Sequence, residues 1–492
     1  MNQARRVPGL QWRPVLGFLG RLVMVLAAAM TAPVACALIY GEIDDAIAIA
    51  GAGVVTALSG LLMWRQGRIG GLDLYRREGI LIVVGGWVLA SAFGALPYLL
   101  VGTLASPMDA LFEAASGFTT TGATVFTDIE AHGQGILFWR SFTQWLGGMG
   151  IIVLFVALLP EVGPGARFLY KLEVPGPTAE ALRPRIHDTA GILWRIYLAF
   201  TVAETLFLML CGLNLYDALT HTFTTLSTGG FSPNNGSVAD FANPWVHVVI
   251  IVFMVLAGGN FSLYFGLRRH RGLNLFRDYE FRLYLGIMAT ACVVIVGTLL
   301  LKGTYTVGWR VLLDTTFQVV SVMTTTGFAT ANFETWPGLT RFILVMLMFV
   351  GGCAGSTAGS MKVMRMVVGL KSAFREVRMN FSPNTVVAVF VGGKAVPEQV
   401  VRSVMGFFIL FMTSWGLGAL LLTVDGNSLV TAATASIATL GNIGPGLEAV
   451  GPVENFAFFS WRDKGVMVVL MWLGRLEVYS IAALVSLRFW KR

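Results

Sequence analysis

Four short segments of this chain are rich in hydroxyl side chains and close on glycine: Thr120-Thr121-Gly122, Ser227-Thr228-Gly229, Thr325-Thr326-Gly327, and Thr439-Leu440-Gly441 with Asn442 behind it. None of them pairs a nucleophile with a base. What they offer is backbone oxygen, because a residue without a side chain permits angles that turn carbonyls inward, and a ring of carbonyls replaces the water around a dehydrated cation. The glycines recur about one hundred residues apart, and a repeat of that length places the same element four times around an axis. A single Thr-Thr-Gly reads as a packing glycine in a kinked helix. Four at matching positions do not, since independent kinks have no reason to share a period. The fourth copy has Leu440 where the others have a hydroxyl, so its side chains cannot contribute in the same way while its carbonyls can. The hydroxyls of Thr121, Thr228 and Thr326 are then read as helix-end or packing partners, with ion contact from the carbonyls.

Each copy must be carried to the same depth, and the composition says what it is carried through. Only 13% of the 492 residues are charged and 55% are hydrophobic, against roughly a quarter charged in a soluble domain. The mean hydropathy is +0.72. Apolar stretches long enough to cross a bilayer as helices are expected at 17–40, 44–64, 79–102, 136–159, 192–213, 244–266, 281–301, 340–367, 400–423 and 465–488. Each unit reads span, outward loop, short helix, Thr/Gly turn, span. In the first, the helix that starts at Pro107 and reaches Ser116-Gly117-Phe118 is too short to cross, so it dips in and returns on the same side. Irregular backbone at that depth is tolerated only where protein, water or ions satisfy it, which places the turn on an axis. Short helices with carboxyl ends aimed at the membrane centre bring partial negative charge there and favour a cation. The expected architecture is an all-α membrane protein: an N-terminal pair of spans in 1–70, then helix–pore loop–helix repeats in 71–165, 166–270, 271–380 and 381–492.

The net charge of +8 follows topology. Most of the 35 Lys and Arg fall in alternate loops, which by the positive-inside rule makes both termini cytoplasmic, while the loops holding Asp44, Asp45, Asp109, Glu113, Asp128, Glu130, Asp217 and Asp240 face outward. Spread over every inner loop, the basic residues form no single nucleic-acid face. The first span lacks a small-residue cleavage site and reads as a retained anchor. Cys36, Cys211, Cys292 and Cys353 lie unpaired in apolar segments and read as packing residues, and the five His form no cluster. No His-Glu-x-x-His, Gly-x-Ser-x-Gly or membrane aspartate pair is present, which argues against an enzyme. No organic cofactor is expected.

The segments Ser116 to Thr124, Leu226 to Ser232, Met323 to Phe328 and Leu440 to Gly446 resemble the four filter segments of the TrkH/KtrB/HKT superfamily of potassium transporters. The two extra N-terminal spans resemble the TrkH branch, and the resemblance covers the whole chain. It implies a homodimeric inner-membrane potassium uptake protein with one pore per protomer, gated by a cytosolic nucleotide-binding ring of the TrkA type. A glycine in all four copies goes, in this superfamily, with potassium preference. The run from Gly351 to Lys362, containing Gly352, Gly355, Ser356 and Gly359, resembles the family's intramembrane gating loop, with Ala358 and Ser360 where the family often has glycine. A bland alternative is a small-residue helix-packing face; a phosphate loop is excluded by its ending. Arg475 matches a family residue that faces the pore and opposes cation entry. Its alternative is an ion pair with Glu477 or another carboxylate. Lys362 adds positive charge below the filter or, as favoured here, snorkels to the cytoplasmic interface. Lys371, Arg375 and Arg378, with Arg268 to Arg282 and Arg167 to Arg185, form a basic surface for a regulatory ring or for anionic membrane lipid. The competing reading is an ion-coupled symporter, for which the spans offer Glu204, Glu477 and Arg475.

Overall fold

The computed structural model describes residues 10–67, 76–150, 186–267, 275–305, 308–381 and 387–490. Apart from a two-stranded ribbon at Phe390–Val391 and Lys394–Ala395, the described elements are helical. Six helices are long and apolar enough to cross a membrane: Trp12–Ile39, Ile43–Gln66, Arg77–Val101, Ala190–Leu210, Tyr279–Leu301 and Glu398–Thr423. Their outward faces carry Val54, Leu58, Leu206, Val293, Leu301, Ile409 and Leu420, all exposed, as a surface solvated by lipid tails requires.

Between the spans lie four pore helices: Pro107–Phe118, Leu215–Leu226, Gly308–Met323 and Leu429–Leu440. Three of them start on a side-chain cap. Asp109 N donates to Ser106, Asp217 N to Asn214 and Thr431 N to Ser428, each satisfying an amide the helix leaves open. Over their last turns the pore helices are buried almost completely. Ala115, Phe118, Leu226, Met323 and Leu440 pack inward among the inner helices that follow.

Those inner helices correct the expectation of ten continuous spans. Gln134–Gly148, Pro244–Ala257, Gly338–Val350 and Trp461–Arg475 are each too short to cross. The stretch expected at 136–159 is described only to residue 150. The stretch at 244–266 breaks after Ala257 and resumes as Phe261–Leu267, and the one at 340–367 breaks after Val350 and resumes as Val363–Phe381. The last bends by 118° between Trp461–Arg475 and Tyr479–Val485. The cause is shared: the ends align as Gly147-Gly148, Ala257-Gly258, Gly351-Gly352 and Gly474-Arg475, each pair holding at least one glycine, a weak helix former. Sequence alone marks an interruption only in the third unit, where the small-residue run is longest.

The outward carboxylates also need correction. Glu113 does not stand on a solvated loop; it is wholly buried in the first pore helix and paired with Arg140 at 2.6 Å. Asp109 pairs with Lys464, also at 2.6 Å. The four cysteines are free. The basic stretch from Arg167 to Arg185, and Arg268 to Arg271, lie outside the described residues.

Candidate ion-binding ring and the loop beneath it

All four pore helices end in one motif. Their last residues are followed by Thr119, Ser227, Thr324 and Gly441, and then by a left-handed residue: Thr120 (φ 55), Thr228 (φ 56), Thr325 (φ 59) and Asn442 (φ 53). The next amide reaches back over the last turn, Thr121 N to Ser116 O, Gly229 N to Thr224 O, Thr326 N to Ser321 O and Ile443 N to Ala438 O, each at 2.8 Å. This is the Schellman termination, in which glycine is the usual left-handed residue. Here the position holds threonine three times and asparagine once. A left-handed backbone costs an L-residue roughly 1–2 kcal/mol, so the cluster is a site where strain is held by its surroundings.

The ring glycines stand two residues beyond the left-handed position: Gly122 (φ 81), Gly230 (φ 73), Gly327 (φ 85) and Gly444 (φ 101). A Cβ on Gly122 would overlap the carbonyl oxygen of Gly229, one on Gly230 that of Thr326, and one on Gly327 that of Ile443. A Cβ on Gly444 would lie 2.9 Å from the oxygen of Thr121. Contact therefore runs from first quarter to second, second to third, third to fourth and fourth back to first. The four segments close a ring of backbone. On one side, all four glycines line a vestibule of about 170 Å³ that Arg140 also borders.

This geometry shifts the register read from the sequence. In the first and third copies Thr120-Thr121-Gly122 and Thr325-Thr326-Gly327 occupy the left-handed, middle and ring-glycine positions. The second is Thr228-Gly229-Gly230, so Ser227 is the helix cap. The fourth is Asn442-Ile443-Gly444: Thr439 and Leu440 belong to the pore helix and Gly441 is its cap. Matching by the nearest Thr-x-Gly spelling fails there because the fourth quarter uses asparagine for its left-handed residue. The hydroxyls do serve as packing partners: Thr119 and Thr121 Oγ1 are 2.8 Å apart, as are those of Thr324 and Thr326, and Thr228 Oγ1 donates to Ser227 O. Asn442 Nδ2 donates to Thr121 Oγ1 at 3.0 Å, tying the fourth quarter to the first.

On the opposite side the run from Gly351 to Lys362 lies folded under the ring. It is almost wholly buried and has left-handed backbone at Gly351, Gly355, Ser360 and Lys362. It reaches three of the four pore-helix ends directly. Gly359 N donates to Thr325 Oγ1 at 2.7 Å, Thr357 Oγ1 to Leu226 O at 3.0 Å, and a Cβ on Gly359 would overlap Gly441 O. Arg475 completes the set, with Nη1 donating to Thr120 Oγ1 at 3.2 Å and to Thr357 O at 2.9 Å, and Nη2 to Gly147 O and Gly148 O. Glu477, the alternative partner considered for Arg475, is paired with Arg365 at 2.5 Å. Lys362 does not snorkel: it is 2% exposed and its Nζ donates to Ala358 O inside the loop. A left-handed backbone and the turn at Ser360 point it inward. A cavity of about 60 Å³ touches Gly355, Thr357, Gly359, Lys362 and Arg475.

Several residues that hold this site carry no motif. Glu113 accepts from Val125 N and Thr124 Oγ1, and Arg140 donates to Ser232 O and lies 3.6 Å from the Phe231 ring centroid, so one buried pair grips the segments leaving two ring quarters. The available signal is Arg140 itself, a charge in an apolar span that demands a partner. Glu280 Oε1 accepts from Ala354 N at 2.8 Å and Met364 N at 3.2 Å, holding both ends of the buried loop. Nothing in the local sequence announces that. The basic trio is partly committed: Arg375 bonds Glu398 and Glu376, and Lys371 donates to Phe390 O, while Arg378 is exposed.

A helical membrane protein with four re-entrant pore helices meeting at one backbone ring belongs to the class of pore-loop transport proteins, not enzymes. The TrkH family model, described as a cation transport protein, matches residues 46–490. The chain is 38% identical to the Trk system potassium uptake protein TrkH of Halomonas elongata over 98% of this chain and 99% of the relative. It is 36% identical to the protein of that name from Escherichia coli K12, over 98% and 100%. The crystal structure of the potassium transporter TrkH from Vibrio parahaemolyticus superposes with a TM-score of 0.88 at 35% identity, covering 98% of this chain and all of that one. The chain belongs to the TrkH family.

Proposed function

We propose that this protein takes up potassium across the bacterial inner membrane through the backbone ring, with both termini in the cytoplasm. The ion contacts are carbonyls of Thr120 to Gly122, Thr228 to Gly230, Thr325 to Gly327 and Asn442 to Gly444. The observation that carries the reading is ring closure: each ring glycine seats against the carbonyl of the next quarter, with no side chain between the two backbones. Four helix carboxyl ends directed at the ring add partial negative charge. Relatives named Trk system potassium uptake protein, matched over nearly their whole length, support potassium as the cargo.

The loop from Gly351 to Lys362 is the gate, closed in the conformation described. It blocks the side of the ring opposite the vestibule, and Arg475 adds a positive charge on the same path. Opening requires the loop to release Thr325, Leu226 and Arg475 together, a change large enough to be driven by a partner on the cytoplasmic face. The partner proposed is a TrkA-like nucleotide-binding subunit acting on a homodimer. Glu204, buried among the spans, favours a second reading, a proton-coupled symporter, because a carboxyl there can load and release a proton.

One experiment separates the two. Purified protein in liposomes is given opposed potassium and sodium gradients, and the reversal potential and rubidium flux are read with and without a proton gradient. The conduit passes potassium and rubidium without a proton gradient and sets a potential near the potassium equilibrium value. Flux that stalls until protons are supplied replaces it with the symporter.

A further inference from the structure

Three quarters of the ring carry a bulky side chain between the left-handed residue and the ring glycine: Thr121, Thr326 and Ile443, all wholly buried. The second quarter carries Gly229. The space is not empty, because a Cβ on Gly229 would overlap the side-chain amide of Gln144. Gln144 sits wholly buried on the first inner helix. Its Nε2 donates to Gly229 O at 2.8 Å, and its Oε1 accepts from Phe231 N at 3.1 Å. The amide thus brackets Gly230, and a side chain from the first quarter does for the second what the other quarters do with their own.

The inner helices show that this is an exchange rather than an accident of packing. Gln144 precedes Trp145-Leu146-Gly147, as Met254 precedes Val255-Leu256-Ala257, Met348 precedes Phe349-Val350-Gly351, and Met471 precedes Trp472-Leu473-Gly474. Met254, Met348 and Met471 are wholly buried too. In that register the position of Gln144 is methionine in the other three inner helices, and the position of Gly229 is Thr326, Ile443 and Thr121 in the other three quarters. Methionine accompanies a bulky ring residue three times; glutamine accompanies glycine once. A buried amide must find a donor and an acceptor, and the absence of a ring side chain at Gly229 exposes both.

We infer that Gln144 is a positioning residue that sets ion discrimination by holding the second quarter of the ring. The inference rests on the ring being the selective element. Gly229-Gly230 is the ring's only pair of successive glycines among the four quarters, and a glycine pair left to itself samples backbone states that the other quarters cannot. The bracket removes that freedom. It also engages the Gly229 oxygen from outside, which makes that oxygen a weaker ligand than its three counterparts.

The test uses the full chain in liposomes with bi-ionic potassium/sodium reversal potentials and rubidium flux, for wild type, Q144A, G229T and the double variant Q144M/G229T. Loss of the bracket in Q144A, and collision of the introduced side chain with Gln144 in G229T, each lower the potassium-to-sodium permeability ratio about tenfold while rubidium still passes. The double variant gives the second quarter the pairing of the third and recovers the ratio to within about threefold of wild type. A Q144A ratio equal to wild type, or a double variant no better than G229T, overturns the inference. A wild type that does not discriminate removes the ring reading itself, whereas a discriminating wild type with an indifferent Q144A removes only the role of Gln144.

Discussion

Two glycines of the fourth repeat, one capping its pore helix and one in the ring, separate on substitution the ring from the helix that leads to it. Gly441 caps the pore helix with right-handed backbone at φ −81. A Cβ there meets the far end of the Ile443 side chain at 2.8 Å and Ile437 O at 2.9 Å. A small rotation of Ile443 relieves the first contact, and alanine's better helix propensity, about 1 kcal/mol over glycine, offsets much of the second. Gly444 differs on both counts. Its φ of 101 is a conformation that L-residues rarely adopt, with a cost of roughly 1–2 kcal/mol. Its Cβ would press on Thr121 O at 2.9 Å, and overpacking against fixed backbone adds about 1–3 kcal/mol.

Together those terms put Gly444→Ala about 2–5 kcal/mol above the wild-type ring. The only relief is to move the Gly444 segment or the Thr121 carbonyl, and both belong to the ring. Since about 1.4 kcal/mol is a tenfold change in an equilibrium constant, roughly a third of that strain expressed as altered ion binding lowers the potassium-to-sodium permeability ratio by about tenfold. Gly441→Ala is expected within about threefold of wild type. Bi-ionic reversal potentials on the two purified variants decide it. If Gly441→Ala erases discrimination while Gly444→Ala spares it, Gly441 belongs in the ring and the register derived from ring closure is wrong.

Two further outcomes follow from the buried charges. Arg140→Met leaves Glu113 buried without its cation and should destabilise the protein by about 3–5 kcal/mol, seen as a lower melting temperature in detergent that Glu113→Gln in the same chain partly restores; an unchanged melting temperature would mean the pair is not structural. Glu280→Ala frees the amides of Ala354 and Met364 and should raise partner-free rubidium leak several-fold, with faster thiol labelling of Cys353, whereas Glu280→Gln, which keeps an acceptor oxygen, should stay near wild type; leak that is unmoved by either change would detach Glu280 from the loop.

The existence of the repeat is legible because its cause is local. A helix that stops short of crossing, a hydroxyl-rich last turn and a glycine are written in a dozen residues, and the apolar stretches around them give the membrane. Register within the repeat is legible only where the left-handed residue is threonine and the next position has a side chain. In the second quarter Gly229 imitates the ring glycine, and the reason it is glycine lies in Gln144, far away in sequence. In the fourth, Asn442 takes the left-handed position that Thr120, Thr228 and Thr325 take elsewhere, so a hydroxyl pattern points to helix residues that come too early. Glu280 is invisible for the same kind of reason: its partners are backbone amides at Ala354 and Met364, and a backbone amide leaves no mark in a sequence. The helix breaks lie between these cases. Glycine at the aligned ends of the inner helices weakens every one of them, but only the fold discloses that they stop at one level.

That common level also explains how a charge is kept inside the last span. At the aligned position where three inner helices terminate the sequence has Gly148, Gly258 and Gly352, and the fourth has Arg475. Its Nη2 takes Gly147 O at 2.6 Å and Gly148 O at 2.8 Å, the last carbonyls of the first inner helix, which have no partner within that helix and carry its negative pole. Its Nη1 takes Thr357 O in the loop and Thr120 Oγ1 in the ring. A planar fork with donors on separate nitrogens can serve a helix end, a loop and a ring residue at once, which a lysine ammonium on a single flexible stem cannot do in fixed directions. The broken symmetry is therefore what joins the parts: one helix end of four exchanges glycine for arginine, and that side chain fastens the folded loop to the first quarter of the ring.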